Sequence, residues 1–249
     1  MLANSPRLTT GTEQDPLLPK LLAAIYQATE IEIAVSFIQP SGLALLFDPL
    51  LEALNNGATI HLLTSDYLDI TQPLALRQLL MLAEHGAHVR VFQCQGNTSF
   101  HLKTYIFTQQ REAKISQGCA FIGSNNISRT ALNEAYEWSW RHDWLPPEDS
   151  ESAQEFVKIR EAFTRLLNDP SSIQLTANWI DVYSARRQVR MPILQQLSGF
   201  VDEQLEEPSP NSIQIEALQA LLDTRAEGFS RGLVVLATGM GKTWLAAFD

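Results

Sequence analysis

The 249-residue chain is long for one domain and short for three, and 45% hydrophobic with 18% charged residues is the balance of a folded globular protein. Eighteen basic against 28 acidic side chains leave a net charge of −10, which excludes a uniformly basic nucleic-acid coat but not a local basic cleft. No apolar run approaches the roughly 18–20 residues that cross a bilayer, and the N-terminus MLANSPRLTTGTEQDP lacks the apolar core of a secretion signal. The expected setting is therefore cytoplasmic, with no membrane partner. Cys94 and Cys119 lie in apolar strand-like runs and form no CxxC, so both are expected as reduced, buried thiols.

In chain order, residues 16–29 repeat apolar groups at helical spacing and 31–38 (IEIAVSFI) read as a strand. A helix over 43–57 closes on Asn-Gly before strand 58–65, and a helix over 73–86 closes on a glycine before strand 88–94. Three such units predict helices packed on a largely parallel sheet, with the strand C-terminal ends on one rim. The rhythm then changes. FHLKTYIF (100–107), CAFIGS (119–124) and EAYEWSWR (134–141) are strand-like runs joined by loops, so the expected fold class is α/β with a mixed sheet. Residues 148–169 predict a long helix that closes before Asp-Pro, and 174–190 a second one. Arg186, Arg187 and Arg190 on that second helix are read as a solvated face rather than a phosphate stripe. The acidic run Asp202–Glu207 is read as a linker. The last forty residues begin again with a helix, the strand-like run LVVLAT, a Gly-rich loop and a helix.

Charge is unevenly distributed. Residues 1–85 carry −6, residues 86–143 carry +2 and residues 144–249 carry −6. The one net-positive window holds the first chemical constellation. On a strand, His101 and Lys103 share a face, and an imidazole beside an ammonium suits a phosphate: the lysine neutralises oxygen charge while the histidine attacks or donates a proton. A lone HxK is more simply two polar residues on a strand edge. Here, however, Gly123-Ser124-x-Asn126 follows another apolar strand and offers a hydroxyl, backbone N–H groups and an amide to an oxyanion. Glu137 lies among aromatic neighbours, where a carboxylate could hold a histidine in one tautomer. Trp138 and Trp140 alternate there and are read as sheet packing.

His101-x-Lys103, Gly123-Ser124-x-Asn126 and Glu137 together resemble the phospholipase D superfamily motif, over about residues 1–170. The superfamily's usual aspartate, five residues after the lysine, would fall at Thr108 and is absent. The spacing from lysine to GSxN is also longer than usual, with TQQREAKISQG expected as an extended hairpin. The resemblance implies a phosphohistidine mechanism that needs no metal, with two histidines: one attacks phosphorus and the other protonates the leaving oxygen. Only one HxK is present, so a homodimer sharing one active site is expected. In that reading Glu137 orients the imidazole, while Lys103, Ser124 and Asn126 hold the phosphate.

The second constellation is ATGMGKT (237–243). Gly239 and Gly241 permit close backbone approach to phosphates, Lys242 reaches the β and γ groups, and Thr243 can ligate Mg²⁺. Leu236 stands where the strict P-loop has its first glycine, a departure that resembles the superfamily 2 helicases. In the same resemblance Thr238 belongs to the loop and Gln214 matches the glutamine that reads adenine. The expected organisation is a nuclease domain over 1–170, a helical linker over 171–207, and over 208–249 the incomplete start of a RecA-like helicase domain. The length reads as a cut just past a P-loop, before any Walker B acid. ATP and Mg²⁺ belong to the helicase part of a full-length protein. This order of domains resembles the SauUSI-like, ATP-dependent, modification-dependent restriction enzymes and implies DNA phosphodiester hydrolysis. The alternative is a non-catalytic dimerisation and DNA-binding module of a helicase.

Overall fold

The computed structural model describes residues 7–96, 98–112, 114–198, 210, 212–235 and 245. Its centre is an eight-stranded sheet in the order β1-β7-β6-β5-β2-β3-β4-β8. The strands are β1 (Leu8–Thr9), β2 (Glu30–Val35), β3 (Thr59–Ser65), β4 (His88–Phe92), β5 (Lys103–Arg111), β6 (Lys114–Gly123), β7 (Ser139–Trp144) and β8 (Ser172–Gln174). Only β2, β3 and β4 run parallel, and every other neighbour pair is antiparallel. The mixed α/β sheet expected from the two periodicities is the one observed.

The parallel part is built by α1 (Leu18–Ile25), α2 (Pro40–Asn55) and α3 (Pro73–Glu84), each with a proline in its first turn, where the missing N–H has no intrahelical partner to lose. After α2 and α3 the chain turns through Gly57 and Gly86 at φ +86° and +105°, left-handed conformations that L side chains rarely adopt. These helices bury Leu21, Leu43, Leu46, Leu50, Leu76 and Leu79 against Ile31, Ile33, Val35, Tyr105 and Phe107 on one sheet face. The other face is covered by α5 (Glu151–Leu167), which sets Phe156 and Phe163 on Ala34, Leu63, Ile106 and Ala120. A Cβ on Gly118 would lie 2.7 Å from the Phe156 ring, so the glycine permits this close seating. Glu30 and Glu32 point to the same side and each meet Arg160 of α5 at 2.6 Å.

The long spacing between the two halves of the motif is the β5–β6 hairpin, as expected, with a register shift between Gln109 and Gln110. Several expectations change. The strand expected over 134–141 begins only at Ser139; residues 134–138 are turn and loop. The main chain there is engaged otherwise: the Ala135 carbonyl accepts from Thr12 N and the Trp138 carbonyl from Ser124 N. Trp138 lies in that loop and Trp140 in β7 opposite Ile122, and they are 63% and 51% exposed, so neither ring is enclosed in the sheet. The helix expected near 174–190 runs as α6 (Ala177–Ser198), and its arginines are not a solvated face. Arg186 pairs with Asp66 and Asp69, Arg190 pairs with Asp69, and Arg187 Nε donates to the Asp69 carbonyl. The buried carboxylates of Asp66 and Asp69, on the short turn that follows β3, draw these arginines in. Residues 171–198, expected as linker, therefore contribute β8 and α6 to the first compact unit, which divides from the second after Glu203.

The second unit, Gln204–Asp249, contains α7 (Ser212–Ala226). Residues 233–235, where the expected strand LVVLAT opens, have no regular structure; Leu233 and Val235 are 90% and 83% exposed, with no neighbouring strand among the described residues of this unit. The acidic run 202–207 and the Gly-rich loop 237–243 lie outside the described residues. Among the described residues no helix is long and apolar enough to cross a membrane.

Candidate active site

The sheet topology brings five chain segments to one rim. The parallel strands β2 and β3 end there at Val35 and Ser65, antiparallel β5 starts there at Lys103 opposite Val35, β6 ends at Gly123 and β7 starts opposite it at Ser139. Side-chain hydroxyls tie these ends together. Ser36 Oγ donates to the Phe100 carbonyl and Ser65 Oγ to the Ser36 carbonyl, both at 2.6 Å. His101 is thus delivered to the rim by a stretch anchored one residue earlier, although it precedes β5 instead of lying within it.

His101 is exposed and Lys103 half-buried, and the Lys103 ammonium lies 3.4 Å from His101 Nδ1 and 2.9 Å from the His101 carbonyl. The expected pairing of imidazole and ammonium is present. Burial pulls the Lys103 ammonium below its usual range, and the Glu137 carboxylate opposes that shift. An anion placed here would relieve the burial penalty, because it would favour the charged amine. The Tyr67 ring meets the His101 imidazole edge-on, at 4.7 Å between centroids and 69° between planes.

Asn126 is 6% exposed and its Oδ1 accepts from Phe37 N at 3.1 Å. That bond commits the carbonyl oxygen and leaves the amide Nδ2 as a donor without a hydrogen-bond partner among the described residues. Ser124 is exposed; its Oγ accepts from Trp138 N at 3.1 Å and its N donates to the Trp138 carbonyl at 3.0 Å. Ser124 therefore holds the 134–138 loop as well as standing at the rim. Glu137, in the middle of that loop, is half-buried and acts electrostatically on Lys103 and Tyr105. It forms no hydrogen bond with His101 of its own chain, so within one chain its charge is directed at the lysine.

Several supporting residues carry no signal in the sequence. Asn125, the variable position of the GSxN stretch, is fully buried, donates to the Ala131 carbonyl, accepts from Ser139 Oγ at 2.6 Å and presents its carbonyl to the Tyr105 hydroxyl at 3.0 Å. Only the rule that a buried amide must find partners could have suggested it. Gly123 is required sterically: a Cβ there would collide with the Trp138 carbonyl and lie 2.6 Å from Ser139 Cα. Thr108, at the absent aspartate's position, is buried inside β5 with its Oγ1 unpaired. A neutral hydroxyl tolerates that setting far better than an unpaired carboxylate would.

Of the residues expected to hold a nucleotide, Gln214 is buried on α7, while Thr238, Gly239, Gly241, Lys242 and Thr243 lie outside the described residues. Among the described residues no group of three or more His, Cys, Asp or Glu side chains is disposed to hold a metal ion.

Residues 21–161 match the family described as a cardiolipin synthase, PLD-like domain, and residues 207–249 match the type III restriction enzyme res subunit. No curated protein matches. Among solved structures, phosphatidylserine synthase of Haemophilus influenzae Rd KW20 is similar at a TM-score of 0.50 and 15% identity, over 86% of this chain and 46% of that one. The archaeal chromatin protein TrmBL2 is similar at 0.41 and 14%, over 67% and 54%. Polyphosphate kinase of Porphyromonas gingivalis is similar at 0.41 and 12%, over 59% and 24%. The chain thus spans about half or less of these solved chains.

Proposed function

The chain belongs to the phospholipase D-like family, and from that premise we propose that it hydrolyses DNA phosphodiester bonds as the nuclease part of an ATP-dependent restriction or phage-defence enzyme. The observation that carries this reading is the rim itself: an imidazole, an ammonium 3.4 Å from it and an amide nitrogen left free by its own carbonyl's bond. The neighbouring match to a restriction subunit over 207–249 favours DNA over other phosphodiesters.

In the proposed chemistry an imidazole nitrogen of His101 attacks phosphorus. The bond from phosphorus to the leaving oxygen breaks, and that oxygen takes a proton from the second histidine. Water then attacks the phosphohistidine, gives its proton back to that second histidine and frees the first. Lys103 and Asn126 neutralise and hold the non-bridging oxygens, and Ser124 fixes the loop beside them. Because one chain carries one HxK, the second histidine is His101 of a second copy, in a homodimer with a shared site. No metal enters these steps. In a full-length protein the segment from 208 would bind ATP and Mg²⁺ through Gln214, Thr238, Gly239, Gly241, Lys242 and Thr243, a Gly-rich loop with an ammonium and a hydroxyl of suitable chemistry. A recognition module of the SauUSI-like kind, reading modified cytosine, would lie elsewhere in such a protein.

The test is cleavage in EDTA of circular DNA, offered as single strands and as duplex plasmid. Cutting is expected to persist without divalent metal and to fall by about 10³-fold in His101→Ala. Cutting that EDTA abolishes, or that His101→Ala leaves intact, overturns the mechanism. Binding without any cutting would favour the non-catalytic module, a reading consistent with Thr108 in place of the aspartate.

A further inference from the structure

The loop that carries Glu137 also places two large rings in solvent. Tyr136 is 89% and Trp138 63% exposed, while Glu137 between them is half-buried. The two exposed rings thus stand two residues apart on one loop, with the half-buried carboxylate between them. Trp138 is held in place by both of its main-chain bonds to Ser124. Ile122 and Trp140, opposite each other across β6 and β7 and 39% and 51% exposed, continue the apolar surface from the root of the loop. Single exposed apolar side chains are ordinary on protein surfaces. Four in adjoining positions, on the edge of a phosphate-binding rim, indicate a ligand.

We propose that Trp138 and Tyr136 stack nucleobases adjoining the phosphate held at His101, Lys103 and Asn126, so that this site takes single-stranded nucleic acid. The inference rests on the phosphodiesterase reading and names its substrate class. The occupant must present an anion to the donors and a flat apolar face to the rings. Aromatic faces left in solvent beside anion-binding donors offer a nucleobase a stacking surface. In a duplex both faces of a base are already covered by its neighbours, whereas in a single strand they are open to aromatic side chains. Lipid would meet the same donors with a headgroup, but its flexible acyl chains have no flat face to set against an exposed ring. The restriction-type segment in the same chain is also of a kind that acts on nucleic acid.

The experiment uses the full chain carrying His101→Ala, in EDTA, with two fluorescein-labelled 12-mers of equal charge: oligothymidine and an abasic oligomer. Fluorescence anisotropy is expected to show oligothymidine bound about tenfold or more tightly than the abasic strand. Trp138→Ala is expected to remove most of that difference, while Trp138→Phe keeps most of it. Equal affinity for the two oligomers, no binding to either, or an unchanged ratio in Trp138→Ala overturns the inference. So does a Trp138→Ala protein that sediments as monomer where the parent is a dimer, which would make the patch a contact between copies. Blue-shifted tryptophan emission with phosphatidylglycerol vesicles but not with oligothymidine would assign the patch to a lipid surface and equally overturn it. The binding ratio is independent of turnover, so failure of the nuclease reading, measured by cleavage of single-stranded and duplex circular DNA, is distinguished from failure of this one.

Discussion

Cys94 lies beside the Asp66 carboxylate, which also accepts from the Cys94 amide at 2.7 Å. Burial and then that negative charge push its thiol up to about 11, and burial pushes the Cys119 thiol up to about 12. Both cysteines are free, though Cys94 is only half-buried, not enclosed as expected from its apolar run. A partly exposed thiol is ordinarily reactive, and here the charge beside it decides otherwise. Alkylation of Cys94 by iodoacetamide at pH 8 is expected to run about tenfold or more slower than that of an unfolded control, because so little thiolate is present. Asp66→Asn should accelerate it, and a native rate equal to the unfolded one would contradict this account. At this scale, the sequence offers candidates where the residue type itself is the chemistry, as for His101, Lys103 and Asn126. It misses Ser36, Tyr67 and Asn125, whose roles arise from partners such as Phe100, 64 positions from Ser36.

The elements divide in the same way. Helices α2 and α3 and strands β2 to β4 are legible because one face of each is continuously apolar and the turns carry proline and glycine. The start of β7 is not, because an alternating apolar pattern describes exposed loop rings as well as it describes a strand; competing bonds to Thr12 and Ser124 settle the matter. The seam between α5 and β2 is equally invisible in the pattern, since it joins Arg160 to glutamates about 130 residues away. Glu32 is 4% exposed, and burial raises its pKa although Arg160 opposes the shift. Its folded pKa therefore exceeds the unfolded one, so its contribution to stability is fully present below pH 4.5 and is lost as pH rises through the folded value. Removing Arg160 raises that pKa further. Arg160→Ala is accordingly expected to cost about 3 kcal/mol at pH 7 and distinctly less at pH 5, the direction in which Glu32 gains its proton. Urea unfolding at the two pH values checks this, and a cost that grows on acidification would contradict the sign.

For the whole molecule, one HxK per chain has a stoichiometric consequence. If each active site is assembled from two copies, His101→Ala chains should poison the unaltered ones. Mixed in threefold excess and allowed to exchange, they are expected to lower activity per unaltered chain to about a quarter, the share that still finds an unaltered partner. Activity strictly proportional to the amount of unaltered chain would contradict the shared site.

The sequence by itself determined the α/β class, the hairpin between the two halves of the motif, and the candidate residues for holding a phosphate, because periodicity and side-chain chemistry are local properties of the chain. Only the tertiary structure decided that residues 171–198 complete the first unit, that the α6 arginines neutralise Asp66 and Asp69, and that Glu137 addresses Lys103 while Tyr136 and Trp138 face solvent. Each of those depends on which distant carboxylate, carbonyl or ring becomes a neighbour, and burial sets the strength of the resulting interaction.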